Sequence, residues 1–397
     1  MLDLQTVPIR REEVEQWLDS QRLILEVNNH VTECSRVEGV IWAVCDGALN
    51  IEQITNIIAT LDELDIEDGL DDIVNNTVER LSEQGFLHLT KHEPLDYPID
   101  ITSYTHFVST RGGLYAITPE KFQRLAYGMF FGMCLDRDNN LLVFDYPHLS
   151  SSLWRIPFRQ AKKAETNEGV IHRLTVKGGY IDAPSRLIEG VANNCHYLIR
   201  DNDDFYAVDT ERQAIIKIDA DKNKQWIRVF EETEYHHINA LGISNGSWLV
   251  MKPKRSSAEI NSGFGVFNGQ WQLIDEIDLP AQMAHDFLFT GTNHEGNLEF
   301  WYCDSNNNRI KHYPSHDAIM VKPCVEHNNT TRGLADTDDC WVVGSGRYGT
   351  YYRFAPNSKY LGAVSYIDKH SRQLAAQVPI PEAPCCIVGN PWFARSV

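Results

Sequence analysis

Six side chains in this sequence could act together: His237, His285, Asp286, Glu189, Asn239 and Arg332. Imidazoles and carboxylates that converge from separate chain segments hold a divalent metal, and iron, zinc, manganese or calcium are the candidate ions. His237, His285 and Glu189 are therefore the candidate ligands. The guanidinium of Arg332 offers a bidentate fork for a carboxylate or phosphate. Arg332, Asp286 and Asn239 are accordingly the candidate catalytic residues. His236 is expected to be a neighbour of the site, because adjacent strand residues point to opposite faces.

These residues share a setting. The stretch from Tyr235 to Val250 reads as an apolar strand, a Ser244-Asn245-Gly246-Ser247 turn and a second apolar strand, the signature of a β-hairpin. Similar units run from Gly132 to Phe144, Glu189 to Ile199, Ala284 to Tyr302 and Thr331 to Val343. Aligning them places Asn239 level with Arg332, and His237 level with Thr330. Asp286 and Glu189 then lie near the same height.

From Tyr104 onward helical periodicity fades, and short strands alternate with Asn, Asp, Gly and Ser clusters. Repeats of this kind predict an all-β propeller over 104–397, and its length suits six blades at roughly 40 to 50 residues each. A β-sandwich is the alternative. Strands within Phe107–Ile117 are expected to close the ring with the last blade, and the outer strands of individual blades are expected at 152–156, 204–208, 309–313 and 351–354. In a propeller the innermost strands direct their first residues toward the central channel, which is why side chains from distant repeats can meet.

Two motif matches carry no chemistry here. Gly242-Ile243-Ser244-Asn245-Gly246 fits a nucleophile elbow but lies on a hairpin, whereas the elbow needs a strand-to-helix turn. Gly344 to Gly349 fits a dinucleotide fingerprint but leads into a strand, so no helix N-terminus awaits a pyrophosphate. Cys385-Cys386 reads as a buried apolar pair.

The first hundred residues differ from the rest. They hold six basic residues against 22 acidic ones, so they carry −16 of the chain's net −19. A module this acidic is repelled by phosphate backbones and anionic membranes and attracts basic peptides. Residues 11–19 are expected as a short amphipathic helix. Leu23–Val27 and His30–Cys34 form a hairpin around Asn28-Asn29. Ser35 caps a helix that stops near Asp46-Gly47, and Asn50 with Gln53 starts a second. A third, carrying Leu70, Val74, Val78 and Leu81, ends at Gly85 before a short strand. The order predicts an α+β, winged-helix-like domain over 1–93, a Pro-bearing linker over 94–103, and then the propeller.

The run Gly39-Val40-Ile41-Trp42-Ala43-Val44-Cys45-Asp46-Gly47, then Ile51-Glu52-Gln53-Ile54 and Val78 through Gly85-Phe86-Leu87, resembles the PqqD-like domains. These are recognition elements for the precursors of ribosomally made, post-translationally modified peptides (RiPPs). The resemblance spans about residues 22–90. It implies that a precursor's leader peptide adds as a strand beside Val31, Thr32 and Glu33, against a groove wall of Val74, Asn75 and Val78. It further implies a RiPP biosynthesis protein that presents a tethered core peptide to the propeller channel, with other biosynthetic enzymes as further partners. A non-catalytic scaffold recruiting a separate enzyme is the alternative. Separately, His285-Asp286-Phe287 with Thr290 is similar to one histidine motif of carotenoid cleavage oxygenases.

Neither nucleic acid nor membrane is an expected partner. The N-terminal stretch lacks the apolar run of a signal peptide, and nine scattered cysteines suit a reducing compartment, so the expected location is cytoplasmic.

Overall fold

The computed structural model describes residues 2–11, 14–19, 22–45, 50–59, 69–145, 168–192, 195–230, 236–253, 262–292, 298–323, 329–346 and 362–393. The strands expected at 152–156 and 351–354 lie outside the described residues.

The N-terminal module contains strands β1 (Thr6–Arg10), β2 (Glu15–Asp19), β3 (Arg22–Val27) and β4 (His30–Cys34), helices α1 (Arg36–Val44), α2 (Ile51–Ala59) and α3 (Leu70–Glu83), and strand β5 (Leu87–Lys91). Asn28 and Asn29 both take positive φ, 50° and 62°, which the two-residue turn between β3 and β4 demands. At α1 the Ser35 side chain accepts from the Glu38 N–H at 3.3 Å, and Glu38 accepts the Ser35 N–H at 2.7 Å. Asn50 and Gln53 repeat this reciprocal cap at α2, with contacts of 2.8 and 3.0 Å. The inward faces of the helices supply Ile41, Trp42, Ile54, Val74, Val78 and Leu81, which pack with Leu25 and Phe86 into one buried core. Complete burial of each such side chain contributes roughly 1.5–3 kcal/mol.

One expectation fails here. Residues 15–19 are not helical; they form β2, which pairs antiparallel with β3 from Glu15 opposite Glu26 to Asp19 opposite Arg22. A short apolar pattern suits either structure locally, and the available ladder on β3 decides the outcome. The sheet order is β2-β3-β4, so β4 is an edge strand, while β1 pairs separately with β5.

The rest of the chain folds into six four-stranded antiparallel sheets among the described residues, a propeller-type arrangement. Their innermost strands, numbered here by blade, are Pro384–Gly389 (blade 1), Phe130–Leu135 (2), Cys195–Asp201 (3), Leu241–Ser244 (4), Ala284–Thr292 (5) and Thr330–Asp336 (6). Inner strands of blades 2 and 3, 3 and 4, and 5 and 6 touch, blade 5's inner strand meets Ser247–Lys252 of blade 4, and blade 1 touches both blade 2 and blade 6. Closure comes from the C-terminal strand, which pairs with His106–Thr110, so the chain ends stitch one blade together. Asp204–Asp209 and Arg309–Tyr313 are strands, but not outermost ones as expected: they are the second of blade 3 and the third of blade 5, each paired on both sides.

The tight connections follow from side-chain chemistry. Asp136 accepts from the N–H groups of Asp138 and Asn140, both at 2.9 Å. Asp219 binds Asn223, and Asn245-Gly246 turns with φ of 50° and 77°. Between blades, the apolar faces interlock; Phe264, Phe287 and Phe300 meet edge to face at centroid distances of 4.8 to 6.1 Å.

The module is pinned to the propeller. Met129, just before the inner strand of blade 2, packs into the module's core. His92 stacks on Tyr127 at 3.6 Å. The segment read as a linker is held too, since Ile99–Asp100 pairs with Tyr180–Ile181 and Tyr97 donates to the Leu125 carbonyl. No helix among the described residues is long and apolar enough to cross a membrane.

Candidate functional site

The inner strands share a distortion at their first residues. Register shifts interrupt blade 2 between Phe130 and Met133, blade 3 between Cys195 and Leu198, and blade 5 between His285 and Phe287. Blade 6 shifts between Arg332 and Leu334, and blade 1 between Pro384 and Cys386. A bulge inserts a residue, bends the strand and re-aims the side chains beside it. Here five bulges gather at one end of the propeller.

Residues at the bulges of blades 3 and 5 meet one from the segment leading into blade 4. His196, His237 and His285 present nitrogens that all lie within 4.8 Å of one another. His196 stands edge-on to His237 with ring centroids at 5.3 Å, and nearly parallel to His285 at 6.2 Å. Phe131 flanks His196 at 5.6 Å, and the Arg111 guanidinium lies 5.5 Å from the Phe131 ring. Three non-glycine residues here adopt positive φ: His237 at 53°, Met283 at 55° and Asp286 at 45°. Such backbone costs of order 1–3 kcal/mol each and is characteristic of functional sites.

The proton on His285 can be placed by elimination. Its Nδ1 lies 2.8 Å from the Met283 carbonyl, which only accepts, and 2.9 Å from Ser305 Oγ, whose own hydrogen goes to the Thr331 carbonyl at 2.7 Å. Nδ1 is therefore the N–H and Nε2 carries the lone pair. That lone pair faces Arg332 Nη2 at 2.7 Å.

Electrostatics keep the His196 imidazole neutral. Burial pushes the pKa of His196 well down, and Arg332, His237, His285 and Arg111 push the same way. Burial raises Asp286 to about 6, opposed by the Gly333 N–H and by Arg332. Neutral imidazoles are what metal ligation requires. Three histidine nitrogens this close together could hold a metal ion. Calcium, among the ions expected from sequence, takes oxygen ligands and does not suit this set.

The structure unites His237, His285 and Arg332, and places Asp286 directly behind them. Asp286 accepts the Gly333 N–H at 2.9 Å, so it ties blade 5 to blade 6. Asn239 is buried and donates to the Ala284 carbonyl at 3.0 Å, joining blades 4 and 5; its Oδ1 has no hydrogen-bond partner among the described residues. His236 packs on Phe230 at 4.8 Å, a neighbour as expected.

Glu189 needs correction as a ligand. It follows the outermost strand of blade 2, Ser185–Ile188, and pairs at 3.1 Å with Arg186 on the surface. The inner strand of blade 3 starts at Cys195, six positions later, and His196 takes the place assigned to Glu189. Sequence reading missed His196, although Cys195-His196 parallels Ala284-His285 at two strand starts. The level assignment also shifts. His285, not Asp286, is the counterpart of Arg332, because each precedes a bulged residue.

In the module, Val31 is 54% exposed on the free edge of β4, next to Thr32, which accepts from Arg80 at 3.1 Å, and Glu33. The expected groove wall is different. Val74 and Val78 are fully buried in the core, and Asn75 is buried and accepts from the Leu2 N–H at 3.2 Å. Periodicity put these three on the inner face of α3, and that face is covered by the module itself.

No protein-family model matches this chain, and no curated protein sequence matches it. Among solved structures it is similar to a nidogen/laminin complex, at 8% identity over 74% of this chain and 100% of that chain, with a TM-score of 0.50. A putative 6-phosphogluconolactonase from Bacteroides fragilis matches at 10% identity over 75% of this chain and 99% of that one, with a TM-score of 0.40. A catalytically inactive virginiamycin B lyase from Staphylococcus aureus matches at 12% identity, covering 64% and 70% of the two chains, with a TM-score of 0.35. Likeness at these identities extends to the fold alone.

Proposed function

We propose that this chain is a peptide-modifying protein of RiPP biosynthesis, with a divalent metal held by His196, His237 and His285 at the propeller mouth. The observation that carries this reading is the convergence of three imidazoles from three successive blades within 4.8 Å. Zinc or iron suits the donor set. The bound ion would act as a Lewis acid toward a peptide group.

Two features support a peptide as the substrate. The acidic module exposes the β4 edge, a ready partner for an extended leader. Its core receives Met129, two residues from Phe131, so the module lies beside the rim that carries the cluster. Tethering over a short distance gives millimolar effective concentrations, and the mouth then need not bind the core segment tightly.

The decisive experiment loads the purified full chain with Co²⁺ and measures stoichiometry and visible absorption. One ion per chain in the wild type and none in His196→Ala, with unchanged far-ultraviolet circular dichroism, supports the metal centre; no ion in the wild type overturns it. Synthetic peptides encoded beside the gene, followed by fluorescence anisotropy, test the leader. The Arg332 contact on His285 favours a second reading, a recognition scaffold without metal, because it already engages one ligand nitrogen. Unaltered precursor processing by His285→Ala would select that scaffold.

A further inference from the structure

We propose that the group delivered to this mouth carries a carboxylate, that Arg332 is its clamp, and that carboxylate and metal bind there cooperatively. The proposal rests on the metal reading above for its second half and on Arg332 alone for its first.

The starting point is the 2.7 Å contact in which Arg332 Nη2 donates to His285 Nε2. A neutral imidazole is a modest acceptor for a guanidinium. A carboxylate accepts two parallel N–H bonds from the same fork, and charge assistance makes each roughly twice as strong. A carboxylate arriving at the mouth therefore outcompetes His285 for Arg332. Once Arg332 turns to it, the Nε2 lone pair is released toward His196 and His237, and the three nitrogens can face one ion.

Charge balance points the same way. The metal-capable group consists of three imidazoles, with no carboxylate among its described members. Arg332 touches one of these rings, and Arg111 reaches the cluster across Phe131, which lies 5.6 Å from His196. Asp286 is an anion close by among the described residues, and one of its oxygens is committed to the Gly333 N–H at 2.9 Å. A divalent cation entering alone would add charge to a group whose described members bring no carboxylate. Entering with a carboxylate, it gains a neutralising partner and an oxygen ligand in the position the histidines leave open. Arg332 is also held in place: its bulge is fixed by Asp286, and Gly333 has a positive φ of 73° with no room for a side chain against Ile387.

The test uses the full-length chain, Co²⁺ and N-acetylglycine as the carboxylate probe, with N-acetylglycinamide as its uncharged counterpart, in carboxylate-free buffer. Calorimetric titration of the wild type should show Co²⁺ affinity rising about tenfold with saturating N-acetylglycine, and N-acetylglycine affinity rising by the same factor with Co²⁺, as linkage requires. The amide should leave Co²⁺ affinity unchanged. Arg332→Gln should lose the coupling, bind Co²⁺ without the probe at least as tightly as the wild type does, and bind N-acetylglycine at least tenfold more weakly even without metal. Equal Co²⁺ affinity with and without the probe in the wild type, or coupling that survives in Arg332→Gln, overturns the cooperativity. Probe binding that is unchanged in Arg332→Gln overturns the clamp. Absence of Co²⁺ binding in both proteins overturns the metal reading and the cooperativity, while the metal-free titration still decides the clamp.

Discussion

Asp286 Oδ2 accepts the Gly333 N–H at 2.9 Å, joining the bulge of blade 5 to the bulge of blade 6. The residues just before these bulges are His285 and Arg332, whose side chains meet at 2.7 Å. One buried carboxylate thus fixes the spacing of the two strand starts that build the site.

Removing that tie should destabilise the fold. Asp286→Ala leaves a buried N–H without its acceptor, and the expected loss is about 1–3 kcal/mol. Asp286→Asn keeps an acceptor oxygen and should lose less. Urea unfolding of both variants checks this; equal losses would show that the Gly333 contact contributes nothing.

Gly333 is the second half of the joint. At φ of 73°, a Cβ there would lie 2.6 Å from Ile387 Cγ1. Gly333→Ala should therefore cost about 2 kcal/mol or more, from left-handed strain and crowding together. A variant as stable as the wild type in chemical denaturation would contradict this.

His106 should make stability fall in mild acid. Burial lowers its pKa to about 4, with the Asp336 carbonyl and carboxylate opposing, against an ordinary 6.5. As pH drops below 6.5 the unfolded chain takes the proton first, so folding loses stability progressively until about pH 4. The loss amounts to about 3 kcal/mol. Urea midpoints from pH 7.5 to 4 should decline less steeply in His106→Gln than in the wild type; parallel curves would refute the assignment.

Glu38 serves α1 twice. It accepts the Ser35 N–H at 2.7 Å and pairs with Arg80 at 2.7 Å, where both side chains are partly solvated. Glu38→Ala should cost about 1–2 kcal/mol, most of it from the lost cap, since a solvated ion pair contributes under about 1 kcal/mol. Amide exchange should quicken in α1 while propeller strands stay protected; uniform quickening would argue against a local effect.

Much of the fold was legible because its signals are local. Asn28-Asn29 and Asn245-Gly246 accept the positive φ that hairpins need, and Ser35 and Asn50 cap helices with partners three residues away. Strand 15–19 was misread even though its partner, β3, follows after two residues, because a short segment with few apolar residues suits a helix or a strand equally well. The site was half legible. His237, His285 and Arg332 stood out as polar starts of apolar strands, yet His196 was passed over in favour of Glu189, where a similar Gly-bearing segment imitates a strand start.

The sequence by itself determined the helix caps, the turns and the repeated strands, since each depends on residues within a few positions of one another. Only the tertiary structure decided which side chains meet. A bulge changes strand register by one residue and turns a side chain to the other face, and propeller closure brings residues some ninety positions apart, His196 and His285, to one mouth.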